Sequence, residues 1–172
     1  SRTSQVLARI LLAGKFGLAP RFFECPPDLP EMFREADAAM LIGDDALRAY
    51  ANPGGCYVYD LGEQWEAYRR APMVYAVWAV RKEFAERRPG LVARVREAFR
   101  RSRDMSIEHI DAISVDIARW EPFSPEFLTG YFNSLKYDFS ADYRQGLSDF
   151  FMLAQEAGAI EKAPELCFVR ER

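Results

Sequence analysis

Three hydroxyl side chains open the chain, immediately before an apolar helical pattern. Ser1, Thr3 and Ser4 lie within the first four residues. Hydroxyl groups cap the free N–H groups of a first helical turn, and those N–H groups together with the helix dipole attract anions. The segment is therefore a candidate site for a carboxylate or a phosphate. An ordinary helix cap uses the same residue types, and spacing alone favours that simpler interpretation.

A second candidate site follows a short apolar run at residues 38–42. Gly43 and Asp44 stand directly after this run. In open α/β sheets ligands bind where strands end, and a glycine there lets a ligand approach the backbone. Gly43 and Asp44 are therefore candidate substrate contacts, and a turn with a helix cap is the alternative. Adjacent side chains rarely converge, so we do not interpret Asp44 and Asp45 as a catalytic carboxylate pair.

The chain has a single histidine, His109, and three widely spaced cysteines. His109 lies on the polar side of a predicted helix, without the neighbours that a catalytic triad needs, so we interpret it as a surface residue. One histidine and no CxxC spacing argue against a zinc site. The sequence contains no phosphate-binding loop, GxGxxG or HExxH motif. We predict no metal site, and the residues assign no catalytic group.

Composition narrows the class of protein. The 172 residues are 49% hydrophobic and 28% charged, with a net charge of −3, which suits one domain or two small lobes. No apolar run reaches the length of a membrane span, so we predict no membrane partner. Residues 81–104 carry a local charge of +5, and the rest carries −8. Because its basic residues scatter around the helix, we interpret this stretch as a solvated face and predict no nucleic-acid partner.

The first 80 residues alternate between helical and strand-like patterns. Helices are predicted at about residues 5–16, 29–35 and 46–50, and after the cap Asp60. Short apolar or β-branched runs at residues 22–23, 38–42, 56–59 and 73–80 predict strands. This alternation indicates an α/β fold. The remainder predicts helices at residues 91–103 and 107–120, one after Ser124-Pro125, and one at 142–157.

Four blocks within residues 1–81 resemble the MqnA/MqnD family of menaquinone biosynthesis. The order of the blocks and the intervals between them both match. The blocks are Ser1-Arg2-Thr3-Ser4, DAAMLIGD at 37–44, YDLGEQW at 59–65, and YAVWAVR at 75–81. The helical remainder is similar to the family in style rather than in motif.

The resemblance implies a type 2 periplasmic-binding-protein-like fold, in which two α/β lobes close on a small ligand. Residues 1–81 would form part of the second lobe, including its crossing strand at 73–80. Residues 82–172 would form a helical C-terminal region that packs toward the first lobe. The chain does not begin with Met, and we expect that most of the first lobe is missing from it. Members of the family work in the cytoplasm.

Two departures favour one branch of the family. The MqnD branch, a naphthoate synthase, carries a histidine base after the strand that here would end at Ile42. Gly43 and Asp44 stand at that place, and Ser4 stands where that branch favours Thr-Ala. Both departures favour the MqnA branch, the chorismate dehydratases. A further departure, Arg70-Ala71-Pro72 in place of Gly-Leu-Pro, affects only a local loop.

The branch implies a reaction and a substrate. Chorismate would lose water to give 3-[(1-carboxyvinyl)oxy]benzoate in the futalosine pathway, without a metal or organic cofactor. Ser1, Thr3 and Ser4 would anchor a substrate carboxylate, and we expect the 172 residues alone to bind chorismate weakly and to be inactive. The alternatives are a non-catalytic lobe that binds a small anion, the MqnD-type synthase, and a helical interaction module built on residues 81–104. The sequence leaves the oligomeric state open.

Overall fold

Helices make up all the regular structure in residues 1–169, which are the residues that the computed structural model describes. A π-helical turn, Leu11–Lys15, extends the first helix. The helices are α1 (Arg2–Ile10), α2 (Leu29–Glu35), α3 (Gly43–Ala51), α4 (Leu61–Arg69), α5 (Lys82–Arg87), α6 (Pro89–Glu108), α7 (Ile110–Ile117), α8 (Pro125–Ser134) and α9 (Ala141–Glu156). Within residues 1–169, none of these helices is both long and apolar enough to cross a bilayer.

The chain divides into two compact units. The first unit contains Ser1–Ala76 together with Phe139–Cys167, so α9 joins the helices of the first 76 residues. The second unit contains Val77–Asp138 and, at the chain end, Phe168 and Val169. The division at residues 1–81 and 82–172 that the sequence suggested stays a prediction.

The first unit has its core where α1, α4 and α9 meet. Trp65 of α4 and Leu7 of α1 are fully buried, and Phe150 of α9 meets the Trp65 ring edge-on with the centroids 6.1 Å apart. The cluster is completed by Ile10, Leu11, Met73 and Ala154. Burying an aromatic or aliphatic side chain of this size contributes roughly 1.5–3 kcal/mol. This packing holds α1, and with it the predicted anion site, against two other helices.

The second unit packs mainly through α7 and α8. Leu128 of α8 is 3% exposed, and Phe123 stacks on Phe127 with their centroids 5.1 Å apart. Ser114 is completely buried in α7 and donates its hydroxyl to the Ile110 carbonyl oxygen at 2.8 Å. Its polar group is therefore satisfied within its own helix, which is what burial of a hydroxyl requires.

The α/β prediction is wrong: residues 1–169 contain no strand or sheet, which contradicts a two-lobe periplasmic-binding-protein-like fold. The four runs that predicted strands, at residues 22–23, 38–42, 56–59 and 73–80, are not strands in the structure. Tyr57 is 91% exposed and Trp78 is 72% exposed, so a pleated neighbour does not cover them. Strand propensity describes how well a side chain fits a sheet that already exists, and these runs have no sheet to join.

The apolar residues of one run serve the helical core instead. Met73 and Val74 are buried, and Met73 belongs to the cluster around Trp65. From Tyr75 to Val80 the same run is exposed. The apolar composition of this run therefore predicted burial correctly for Met73 and Val74, but it predicted the wrong secondary structure.

The helix predictions are confirmed, with shifted ends. The second helix has the predicted bounds, Asp60 caps α4 by accepting from the Glu63 N–H at 2.9 Å, and Ser124 caps α8 in the same way. The helix predicted for residues 107–120 is wrong at its start. Ile107 belongs to α6, and the helical structure is interrupted at His109 before α7 begins at Ile110. Capping residues are local signals, which explains why these ends were readable from sequence.

Gly146 lies where α9 crosses the loop before Met73. A Cβ atom built at Gly146 would overlap the carbonyl oxygen of Pro72 and would lie 3.2 Å from its carbonyl carbon. Both atoms belong to the backbone, so they cannot rotate away as a side chain would. The absence of a Cβ at this position therefore permits the close approach of α9 and the Pro72 loop.

We expect Gly146→Ala to lower the free energy of unfolding by about 2 kcal/mol, the usual scale for forcing an extra carbon into a packed contact. Urea unfolding measured by circular dichroism would check this. Gly130→Ala is the matched control, because Gly130 lies in α8 with no atom within 4 Å of the built Cβ. Relief of glycine's backbone entropy should make that variant more stable by about 0.5–1 kcal/mol. Equal stabilities of the two variants would contradict the proposed overlap.

The hydroxyl of Tyr75 packs against the start of α4. It lies 2.8 Å from the position of a Cβ built on Gly62. Burial of the phenol, and secondarily the negative charge of Asp60, raise the pKa of Tyr75 from 10.0 to about 12. Both causes disfavour the phenolate, although the tyrosine as a whole is 52% exposed. The folded state therefore holds this proton more tightly than an unfolded chain does.

We expect this proton to make stability depend on pH in the alkaline range. The pKa of Tyr75 is higher in the folded state than in the unfolded chain. The contribution of the bound proton to the free energy of unfolding is therefore full below pH 10 and is lost as the pH rises toward about 12. Tyr75→Phe should show a shallower fall in the urea midpoint across that range than the unchanged protein. Tyr57→Phe, which removes a hydroxyl from a 91% exposed side chain, should keep the original slope. The same slope in all three proteins would refute this assignment.

Candidate functional site: two helix starts in the first unit

The start of α1 gathers the three hydroxyl groups that the sequence singled out. Ser1 is the N-cap, and its Oγ accepts a hydrogen bond from the Ser4 N–H at 3.4 Å. Ser1 is exposed and Thr3 is partly exposed, whereas Ser4 is only 7% exposed. A ligand arriving from solvent would therefore reach Ser1 and Thr3 more readily than the hydroxyl of Ser4. Whether any of the three binds a substrate stays a prediction.

The charge around α1 favours an anion at its start. The first turn of α1 contains no acidic residue, so no carboxylate of its own opposes the positive end of the helix dipole. Arg2 lies in that turn and is exposed. The sequence reasoning did not select Arg2 as a site residue, although it stands between the selected hydroxyls. An arginine beside N-terminal hydroxyls was the available signal, because guanidinium groups bind carboxylates through paired N–H donors.

The loop after the π-helical turn folds back along α1. Gln5 donates its side-chain amide to the Glu24 carboxylate at 3.1 Å. The guanidinium of Arg9 lies 3.9 Å from the centre of the Phe22 ring, within the range of a cation–π contact. These two contacts attach the loop to α1 through the side chains of Gln5 and Arg9.

The start of α3 has the opposite electrostatic character. Gly43 begins the helix with φ +63°, a left-handed conformation that glycine adopts without strain. The preceding residue, Ile42, has no side-chain oxygen to cap the helix, and Asp44 and Asp45 lie in the first turn. Asp45 also pairs with Arg48 at 3.2 Å. Two carboxylates already occupy the positive end of this dipole, so a hydroxyl or amine suits it better than a second anion.

Asp44 is exposed and Asp45 is partly exposed. The structure therefore leaves Asp44 accessible as a polar contact, while the pairing of Asp45 with Arg48 restrains its carboxylate. Gly43 and Asp44 lie on the second helix start, and Ser1, Thr3 and Ser4 lie together on the first. That Gly43 and Asp44 contact substrate stays a prediction.

A polar cluster between α4 and α9 was not found by sequence reasoning. Asp149 is 8% exposed and accepts from the Gln145 amide at 2.8 Å, and the guanidinium of Arg69 lies 3.6 Å from its second oxygen. The buried Nε of Arg69 and the indole N–H of Trp65 have no hydrogen-bond partner in the structure. The cluster connects α4, which carries Trp65, to α9, which packs against that ring. This position indicates a structural role for the Arg69–Asp149 pair.

His109 occupies the break between α6 and α7 and is exposed. In the part of the chain that the structure describes, no group of three or more His, Cys, Asp or Glu residues is placed to hold a metal ion. The three cysteines are free and exposed. The first unit therefore offers one helix start without acidic residues in its first turn, at α1, and one with two aspartates there, at α3.

Comparison with known proteins agrees with the resemblance noted in the sequence. A family model described as menaquinone biosynthesis matches residues 1–156. A chorismate dehydratase of Thermus thermophilus is 30% identical over 165 residues, which cover 87% of this chain. The matched region spans 58% of the length of that relative. Because the family model matches 156 of the 172 residues, the chain belongs to the menaquinone biosynthesis family.

Proposed function

We propose that the complete protein is a chorismate dehydratase of the futalosine route to menaquinone. It converts chorismate into 3-[(1-carboxyvinyl)oxy]benzoate and water. The observation that carries this proposal is the 30% identity to the Thermus thermophilus chorismate dehydratase. The match to the family model over residues 1–156 supports the same assignment.

The start of α1 is the proposed anchor for one carboxylate of chorismate. The substrate carries two carboxylates, and the accessible hydroxyls of Ser1 and Thr3 can each donate to a carboxylate oxygen. The N–H groups of the first turn and the guanidinium of Arg2 add positive potential there. This arrangement orients the substrate through charge-assisted hydrogen bonds, while the buried core behind α1 keeps the anchor rigid.

The start of α3 is the proposed contact for a neutral polar group of the same substrate. Asp44 can accept a hydrogen bond from a ring hydroxyl, and the glycine before it leaves room for close approach. Loss of water requires removal of a ring proton and departure of the hydroxyl group as water. Because the product ring is aromatic, orientation and exclusion of solvent supply much of what the enzyme must contribute.

The test is the reaction itself. The complete gene product, incubated with chorismate, should consume it and form a product lighter by one water, detected by mass spectrometry. Binding of chorismate without turnover would favour a non-catalytic anion-binding protein. Turnover of cyclic de-hypoxanthine futalosine in place of chorismate would favour the naphthoate synthase. Either of those two results would overturn the dehydratase proposal.

Thr3→Ala tests the anchor. In the complete protein we expect it to lower kcat/KM for chorismate by about tenfold or more, because a hydrogen bond to a charged group contributes roughly 1.5–3 kcal/mol. The melting temperature should change little, since Ser1 rather than Thr3 caps the helix. Thr129→Ala removes the same atoms from α8, and it should leave kcat/KM unchanged. Normal turnover with a large fall in melting temperature would identify Thr3 as a structural residue only.

A further inference from the structure

The loop between α1 and α2 contains a segment that few contacts hold in place. Residues 18–27, which we call the strap, lie outside the helices, and every residue of the strap is exposed. Among residues 1–169, no backbone hydrogen bond joins residues 19–25 to another backbone group. Segments with little burial and few backbone hydrogen bonds open locally at low free energy. The strap therefore has the properties of an element that moves without unfolding the core.

Both ends of the strap are fixed by local backbone geometry. Gly17 precedes the strap with φ +65°, a left-handed conformation that glycine adopts without strain. At the other end the rings of Pro26 and Pro27 restrict φ. Asp28 then caps α2 by accepting from the Glu31 N–H at 3.1 Å. The strap can therefore move while α1 and α2 stay in place.

Two side-chain contacts hold the strap against α1, in what we call its closed position. The Gln5 amide donates to the Glu24 carboxylate at 3.1 Å. The Arg9 guanidinium lies 3.9 Å from the centre of the Phe22 ring, and that ring remains 38% exposed. A hydrogen bond and a cation–π contact at such exposed positions are each weak. The strap is therefore held closed by interactions that thermal motion breaks readily.

In the closed position Glu24 places a negative charge beside the first turn of α1. The Gln5 N–H donates to the Ser1 carbonyl oxygen at 3.1 Å, so these two residues lie one helical turn apart on the same face. Helical side chains lean toward the N-terminus of their helix. The Gln5 amide, and the Glu24 carboxylate bonded to it, therefore lie near that turn. A carboxylate bound at the start of α1 would meet a like charge while the strap is closed.

We propose that the strap opens as a local unit and that Glu24 couples its opening to anion binding at the start of α1. The coupling rests on the proposed function, because it takes Ser1 and Thr3 as the anion site. Repulsion between Glu24 and a bound anion favours the open strap. By thermodynamic linkage, the closed strap weakens anion binding by the same factor. The closed strap is thus an autoinhibitory contact that a bound carboxylate releases.

Cleavage of the bond between Arg21 and Phe22 by trypsin measures the opening. Arg21 is exposed, and the protease needs the segment around it to leave its packed position and extend in the active site. Arg9→Met removes the cation–π contact and introduces a residue of similar helix propensity, so cleavage should be about two- to fivefold faster. Arg119→Met, at an exposed arginine of the second unit, should leave the rate unchanged.

The urea dependence of this rate separates local opening from global unfolding. Local opening exposes little surface, so cleavage after Arg21 should be independent of urea below the unfolding transition. The activity of trypsin on a short peptide at each urea concentration supplies the correction for the protease itself. A rate that rises with urea in parallel with global unfolding would overturn the local unit. Equal rates in Arg9→Met and the unchanged protein would overturn it as well.

Benzoate, a monocarboxylate, tests the coupling in the complete protein. Compared with chloride at the same ionic strength, it should speed cleavage after Arg21 about twofold or more, the scale of repulsion between charges roughly one helical turn apart near a surface. Glu24→Gln keeps a hydrogen-bond acceptor and loses the charge, so benzoate should not change its cleavage rate and should bind it more tightly by the same factor. Glu35→Gln, at an exposed carboxylate of α2, should respond as the unchanged protein does.

Any of three results with benzoate would overturn the coupling. They are an unchanged cleavage rate, a slower rate, and an undiminished response in Glu24→Gln. A slower rate would show a lid that closes over the anion. Chorismate turnover is measured separately from cleavage, so turnover without coupling would reject the strap alone, and coupling without turnover would reject the reaction alone.

Discussion

The packing of α1 against Trp65 is the interaction on which the first unit depends. Trp65 is fully buried between helices that come from distant parts of the chain, α1 at the start and α9 near the end. The same contact determines where the first turn of α1 stands. A fixed position matters at any helix start that is to bind an anion, because the energy of a charge-assisted hydrogen bond depends steeply on geometry. The side chains that form the core therefore also fix the position of the first turn of α1.

The two helix starts that the sequence singled out differ in local charge. Both expose backbone N–H groups and both sit at the positive end of a dipole. The first turn of α1 contains no acidic residue and includes Arg2, whereas the first turn of α3 contains Asp44 and Asp45. The first suits a carboxylate and the second suits a neutral hydrogen-bond donor.

The two units differ in how completely they bury their apolar residues. In the first unit an aromatic cluster is enclosed by three helices and by Met73. In the second unit α7 and α8 pack together, but none of the 20 residues of α6 is buried. Burial of apolar area is the dominant favourable term in folding and in association. The second unit therefore gains less of this term from α6 than the first unit gains from α1.

Local signals in the sequence were enough to predict most of the helices and the family of this protein. Asp60 and Ser124 were readable as helix starts because an N-cap bonds to its own first turn, and the motifs at 1–4 and 37–44 were among those that indicated the family. Tertiary structure decided the rest. The runs at 38–42, 56–59 and 73–80 have strand propensity, but a strand exists only with a hydrogen-bonded neighbour, which no local pattern supplies. The Arg69–Asp149 pair joins residues 80 positions apart, and the close approach of Gly146 to Pro72 joins residues 74 positions apart, so only the folded chain could reveal them.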